Sequence, residues 1–294
     1  MANTVISPGF TGILDSDGLK VRTTSFSLNT TQDSQFFNHV IGLNDTIPAT
    51  SATKGEALGT RNIQRYIWRP SVISLGGSLS FPATENSIKS FFDRAKDGDF
   101  IPELNYQYYC SQASDYNGIK FKQCRINGYD FSIQAGDILN IGVDIVAMDA
   151  EPEKTVTVET SRFSEKLITW DMVNVSVVSA TVPIIKGFSM KINNNIQTIY
   201  ARGADADQSN YKSLLPSYLR VGMQEVTGTV SVYMSQGQRF MPLNEQTPAI
   251  INFSAPGLGA IKMQVVFFTS QLEGITGPVI CELPYTGIHK TFVD

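Results

Sequence analysis

The sequence is poor in the residues that most enzyme chemistry requires. Two histidines occur in 294 residues, His39 and His289. Neither has Cys, Asp or Glu at ligand spacing, so a histidine-based metal site has nothing to build on. A Ser-His-Asp triad would need His39, in a polar N-terminal strand region, or His289, near the C-terminal end, and no GxSxG accompanies either. The three cysteines, Cys110, Cys124 and Cys281, form no CxxC, and an odd number cannot all pair. They read as small apolar filler in a chain made in a reducing compartment. No run of about 18 apolar residues exists, so no membrane-spanning helix is predicted. The opening MANTVISPGFTGILDSDG has neither the basic start nor the apolar centre of a secretory signal. Positive charge is short as well: 23 Lys and Arg stand against 27 Asp and Glu, a net charge of −4, with no basic block. Nucleic-acid affinity is gained by releasing counterions through Lys and Arg, so a protein that grips DNA is excluded, while one that tolerates passing DNA is not.

Alternation is what the chain has in abundance. TSFSLNT from Thr24, SVISLGGSLSF from Ser71, ILNIGVDIVAM from Ile138, KTVTVETSRF from Lys154, MVNVSVVSATV from Met172, FSMKINNNIQTIYA from Phe188 and AIINFSA from Ala249 all place apolar residues at every second position. Val, Ile, Thr, Phe and Tyr crowd these runs, as half-buried antiparallel strands require. The fold is therefore mainly β. In PATENSIKSFFDRAKDGD the period changes: Ile88, Phe91, Phe92 and Ala95 recur at helical spacing, Thr84 suits the N-cap, Lys96 suits the negative end and Gly98 suits a left-handed stop. This predicts one helix of about three turns, with its phenylalanines laid on a sheet edge. The matching place in the second half holds SQGQRFMPLNEQTP, whose two prolines predict a short or missing helix.

The strands repeat. Laying Gly77 of ISLGGSLSF on Gly228 of EVTGTVSVY, a shift of 228 − 77 = 151, puts Leu75 on Val226, Leu79 on Val230 and Phe81 on Val232 with the apolar parity kept. Later in each half, FKQCRI at Phe121 matches IKMQVV at Ile261, a shift of 261 − 121 = 140. The same shift lays Leu139 on Val279, Ile141 on Cys281, Val143 on Leu283 and Ile145 on Tyr285. Solenoid periods are about 20 to 50 residues, so a repeat this long is a duplicated domain.

Three stretches read as neither strand nor helix: residues 1 to about 22, 44 to about 62, and 201 to about 212. Polar segments of this length suit arms that order when a neighbouring subunit docks. MDAEPEKT, from Met148 to Thr155, reads as the linker between the halves. The imitations of chemical motifs fail on inspection. DSDGLK from Asp15 starts like a calcium loop, but Lys20 and Phe26 stand where Gly and Glu are required. SLGGS and GLGAIK lack the setting of a phosphate cradle and read as strand glycines. YQYYC at Tyr106–Cys110 reads as strand packing rather than a carbohydrate platform.

A duplicated β unit with GGSLSF and a following helix in its first half, TGTVSVY in its second, a CRINGYDFSIQAGDILNIGVDIVAM hairpin and a polar N-terminal arm resembles the major tail tube proteins of long-tailed bacteriophages. The likeness is to the group of about this length with two tube-type halves, and it runs from about Thr23 to Ile288. It implies two tandem β-sandwich or half-barrel units, the first flanked by the α-helix. Residues 1–22 would form the arm, 23–150 the first unit, 151–160 the linker and 161–294 the second unit. It further implies a structural virion subunit without active site or cofactor, made in the host bacterial cytoplasm and built into the tail. Its partners would be other copies of itself, in rings of pseudo-six-fold symmetry with a trimer favoured over a hexamer, together with tape-measure, tail-tip or baseplate, and terminator proteins. Double-stranded DNA would pass without specific binding. Asp130, Asp137, Asp144 and Glu282 are the acidic residues expected to face the lumen. The alternatives are another ring-forming β-protein, a baseplate hub or a secretion tube, and then a receptor- or carbohydrate-binding β-sandwich.

Overall fold

The alternation in the sequence becomes alternating burial. Along one strand Ile141, Val143, Ile145 and Ala147 are buried while their neighbours are not, the pattern of a sheet with one face in a core. The structure, a computed structural model, describes residues 12–16, 19–40, 64–108, 118–153, 166–178, 184–200, 215–234, 248–268, 271–273 and 279–293. In the first half the strands are β1 (Gly12–Ser16), β2 (Leu19–Thr23), β3 (Ser25–Val40), β4 (Gln64–Pro82), β5 (Phe100–Tyr108), β6 (Gly118–Gln134), β7 (Asn140–Ala147) and β8 (Asp149–Glu153). The second half holds β9 (Asn174–Val178), β10 (Ile184–Asn193), β11 (Gln197–Ile199), β12 (Tyr218–Arg220), β13 (Glu225–Met234), β14 (Ala249–Ala255), β15 (Gly259–Phe267), β16 (Gln271–Glu273) and β17 (Val279–Val293). The fold is mainly β, as expected.

The helix forms where its caps and period place it. α1 spans Glu85–Asp97, with Ile88, Phe91, Phe92 and Ala95 buried on one face. Thr84 and Ser87 form a reciprocal capping box, and Gly98 ends the helix in the left-handed region at φ 68°. The counterpart segment in the second half lies outside the described residues.

All strands but β11 and β12 join one antiparallel sheet, and those two pair with each other. Within that sheet the order β3-β4-β7-β6-β5 in the first half is matched by β10-β13-β17-β15-β14 in the second. The register matches too. Gly77, Leu79 and Phe81 on β4 face Ile145, Val143 and Ile141 on β7. Their expected counterparts Gly228, Val230 and Val232 on β13 face Tyr285, Leu283 and Cys281 on β17. A third equivalence follows from the pairing alone. Phe26, Ser27 and Leu28 face Leu79, Ser78 and Gly77, while Phe188, Ser189 and Met190 face Val230, Thr229 and Gly228. β3 and β10 are therefore equivalent strands with near-identical openings, FSL and FSM.

One expected match slips. Pairing with β7 and β17 sets Ile126 against Phe267 rather than Val266, because Ile126 faces Ile145 and Phe267 faces Tyr285. Pairing runs in unbroken register across Gln123, at φ 49°, and the β-bulge in β6 falls between Ile126 and Gly128. Past this bulge the equivalence is steady. Asp130, Phe131 and Ser132 face Gly142, Ile141 and Asn140, as Gln271, Leu272 and Glu273 face Glu282, Cys281 and Ile280. Together β15 and β16 thus correspond to β6.

The N-terminal stretch expected as an arm holds the β1–β2 hairpin, which docks on β5 with Leu14 opposite Tyr106. Two five-residue strands are too short for alternation to stand out, and their partner lies some ninety positions away, so local reading missed them. The Asp17-Gly18 pair between them was the available signal, since Asp-Gly favours hairpin turns. The stretch expected as a linker begins inside β8, which pairs with β6. Residues 154–160, together with the strand expected from Lys154, lie outside the described residues, as do both polar loops, 44–62 and 201–212. The strands on either side of those stretches pair at equivalent positions: Gln35 faces Arg69, and Gln197 faces Arg220.

A single core runs through both halves. Phe131 on β6 lies 5.8 Å from Phe188 on β10 and 4.7 Å from Phe253 on β14 (ring centroids), and Phe188 stacks on Phe253 at 5.1 Å. β14 is remote from β6 in strand order, so the sheet folds back on itself as a sandwich. Phe92 of α1 meets Tyr129 at 6.1 Å on one side and Phe292 of β17 at 5.5 Å on the other. The helix thus packs on both halves. Buried Asn194, after β10, donates to Ala95 O at the helix end and to Ile126 O, both at 2.8 Å. Gln224 donates to Lys96 O and to Asn194 Oδ1, both at 2.9 Å. Two side chains of the second half therefore satisfy carbonyls at the end of the first half's helix.

Candidate functional site

The most informative surface is built by the strand run β4-β7-β6-β10-β13-β17. Its centre is the seam between the halves, where β6 and β10 pair antiparallel from Gly128–Asn193 to Gln134–Gly187. At the seam, one edge of β6 changes partner. β5 holds residues 118–125, and β10 takes over from Gly128. The handover is fastened by Asn127, whose backbone carbonyl accepts from Asn194 N at 2.7 Å and whose Oδ1 accepts from Ile196 N at 2.8 Å.

One face of this run is core, and the other is polar. Its residues lie in cross-strand rows: Ser80, Gly142, Asp130, Lys191, Thr227 and Thr286 in one, Asn140, Ser132, Ser189, Thr229 and Pro284 in the next. Ser231 faces Glu282 in a third. The rows are short hydroxyls, glycines and carboxylates, and Lys191 is the cation in them, opposite Asp130 across the seam. Lys or Arg at several of these positions would make a phosphate-binding track, and that pattern is absent from the named rows.

Of the four acidic residues expected together, three share this face. Asp130 and Asp144 sit on adjacent strands, each lying over the other strand's glycine. A Cβ on Gly142 would come within 2.5 Å of Asp130 Oδ1, and one on Gly128 within 2.7 Å of Asp144 Oδ2. Two glycines thus make room for two carboxylates. Burial against the strand holds the Asp130 carboxyl above the ordinary carboxylate value, Asp144 adds to the rise and Lys191 opposes it. Glu282 is on β17, three strands beyond β6 in the run. Asp137 stands apart, in the turn between β6 and β7.

Exposed apolar side chains gather at the two ends of the strands. Ile138 and Leu167 flank the β6–β7 turn, and Ile184 opens β10 beside it. At the opposite end Ile199 and Tyr218 pair on β11 and β12, and Met223 precedes β13. Sequence reading passed over all six, because an exposed apolar residue in an alternating strand looks the same as a buried one.

Among the described residues no group of three His, Cys, Asp or Glu is placed to hold a metal ion. No helix among them is long and apolar enough to cross a membrane. Cys124 and Cys281 are buried in the core, and burial pushes the Cys124 thiol up to about 12. Tyr106, from the aromatic cluster at the end of β5, is buried in the core as strand packing.

No curated protein matches the chain. A family model described as phage tail tube protein matches residues 49–287, from the loop before β4 through most of β17. The chain belongs to the phage tail tube protein family, and is a structural protein of the virion tail.

Proposed function

We propose that the chain is the major tail tube subunit. Copies close head to tail into rings, rings stack into a tube, and the polar face of the β4-to-β17 run lines the bore through which double-stranded DNA passes. The observation that carries this reading is the β6–β10 seam, in which one repeat hands its sheet edge to the next. A sheet that already continues from repeat to repeat within a chain needs only the same contact between chains to close. Two repeats per chain favour three chains per ring with pseudo-six-fold symmetry over six chains. The repeats correspond to residues 23–150 and 161–294 about the 151–160 connection, with the β1–β2 hairpin assigned to the first.

The chemistry of each surface fits its proposed place. On the bore, Asp130, Asp144 and Glu282 among hydroxyls repel phosphate mildly, so DNA slides without being held, and Asp137 marks the rim. At the ends of the strands, Ile138, Leu167 and Ile184 of one ring meet Ile199, Tyr218 and Met223 of the next, covering apolar surface that would otherwise face water. The reading assigns no catalytic role and no cofactor. A tape-measure protein sets the length, the tail tip starts the tube and a terminator ends it, with synthesis in the host cytoplasm. Negative-stain microscopy of the purified protein tests the reading. Rings or hollow fibres of uniform bore are expected, and a 32.3 kDa monomer that never polymerises at high concentration would overturn it.

A further inference from the structure

The two equivalent hairpins, β3–β4 and β10–β13, are built alike up to one point and then part. Beyond the equivalent pairs Thr31–Ser74 and Asn193–Glu225, residues 32–34 and 70–73 lead to the Gln35–Arg69 pair in the first half, and residues 194–196 and 221–224 lead to the Gln197–Arg220 pair in the second. The lengths are the same. In the first half pairing continues through this stretch, at Gln32–Ile73 and Ser34–Pro70, and both strands stay in the large sheet. In the second half the ladder breaks there, and β11 and β12 form a sheet of their own. A paired arm therefore leaves the large sheet at a break that its twin lacks.

Amide groups from several elements hold the break. On one strand Asn194 N and Ile196 N turn to Asn127 of β6 instead of to the partner strand. Asn195 takes the left-handed region at φ 46°, which Asn tolerates better than most residues, and its Nδ2 crosses the break to donate to Met223 O at 2.8 Å. On the other strand Gly222 N donates to Asn194 O at 3.0 Å. A Cβ on Gly222 would lie 2.5 Å from Asn195 O, so the strands meet there too closely for a side chain. Gln224 anchors this strand to the end of α1, donating to Lys96 O at 2.9 Å and to Ala95 O at 3.3 Å.

We propose that this cluster is a hinge lock: Asn127, Asn194, Asn195 and Gln224 fix the direction in which the β11–β12 arm leaves the sheet and tie it to the position of α1. The arm carries the exposed Ile199 and Tyr218, and exposed Met223 lies in the hinge, so the lock sets where these apolar groups point. Fixing them in the free chain removes an ordering cost from any contact they make. The lock is a property of one molecule and stands whether or not the tube reading does. The Asn127 side chain enters only as an acceptor, whereas that of Gln224 faces the helix carbonyls as a donor. Asn127→Asp therefore keeps the needed chemistry, and Gln224→Glu reverses it by setting a carboxylate against carbonyl oxygens, with side-chain shape nearly unchanged in both.

Distances between spin labels test the lock. Labels at Lys89→Cys, on the exposed face of α1, and at Tyr218→Cys, on β12, span the hinge in the full-length chain, with Cys110 replaced by Ser and Cys124 and Cys281 buried. Labelled chains are diluted with unlabelled ones so that only distances within one molecule are read. One narrow distance distribution is expected for this parent and for its Asn127→Asp variant, and a distribution at least about twice as wide for Gln224→Glu and for Asn127→Ala. Thr84→Ala, at the far end of the helix, should stay narrow, which separates loss of the lock from general loosening. A second readout needs no substitution: in the wild type the Ile196 and Gly222 amides should exchange at least about a hundredfold more slowly than free peptide. A broad distribution in the parent, Asn127→Asp or Thr84→Ala, a narrow one in Gln224→Glu, or free-peptide exchange at these amides overturns the proposal.

Discussion

The two halves share a backbone and differ in what they build around it. Each has five strands in the same order and register, yet Phe81 and Ile141 in one correspond to Val232 and Cys281 in the other. Register outlasts side-chain identity because a slip of one residue would turn every apolar position to the wrong face, while exchange of one apolar side chain for another costs far less. The glycines show how differently a shared position can be used. Gly228 lies beneath Tyr285, whose hydroxyl crosses it to donate to Ser189 O at 2.9 Å on the next strand. Its counterpart Gly77 faces Ile145, which has no hydroxyl to deliver. The halves differ most in their strand partners: among the described residues β6 pairs with β5, β7, β8 and β10, whereas β16 pairs with β17.

The sharpest way to break the comparison is to ask whether the halves unfold separately. Phe131→Ala removes the ring that touches Phe188 and Phe253 across the seam and is expected to cost about 3–5 kcal/mol. Urea denaturation should stay a single transition with a lowered midpoint, whereas two separate transitions would show that each repeat is independently stable. Next in size is Gly228→Ala, whose Cβ would collide with the Tyr285 ring and the Ser189 carbonyl, neither of which has room to move. A loss of about 2–3 kcal/mol is expected, against about 1 kcal/mol for Gly142→Ala, where only the movable Asp130 carboxylate must give way. Equal losses in thermal melts would mean that the tyrosine crossing contributes nothing.

Asn194→Ala leaves Ala95 O and Ile126 O without their buried donor and is expected to cost about 1–3 kcal/mol, with faster amide exchange in α1. Unchanged helix exchange would show that the second half does not hold the helix. Thr84→Ala, which removes the N-cap within the first half, should cost about 1 kcal/mol.

The smallest effect concerns pH. The folded fold holds Asp130 above its unfolded value, so ionising it costs stability. That cost is absent in acid below the unfolded value and grows as pH rises through the folded value. Asp130→Asn should therefore be neutral to stabilising by about 0.5 kcal/mol or less at neutral pH, and should flatten the fall in stability as pH rises from the unfolded through the folded value. A steeper fall would reverse the assignment of burial as the dominant cause.

Much of this was legible in the residues. Strand parity, the helix with both caps, and the Gly77–Gly228 match required only local spacing, and the structure keeps all three. The β1–β2 hairpin was not legible, because its partner β5 is distant in sequence. The one-residue slip between β6 and β15 was not legible either, because strand pairing, not local spacing, sets Ile126 against Phe267. Of the acidic candidates, alternation put Asp130, Asp144 and Glu282 on the polar side of their strands, but nothing in it separated them from Asp137 in the turn.

By itself, then, the amino-acid order determined the class of fold, the helix and the side of each strand that avoids water. All of these depend on periodicities only a few residues long. Only the tertiary structure decided that β6 passes its edge from β5 to β10 and that one core serves both halves. Strand neighbours are chosen by long-range packing and loop closure rather than by local preference, so the seam between the halves comes into view only once the chain is folded.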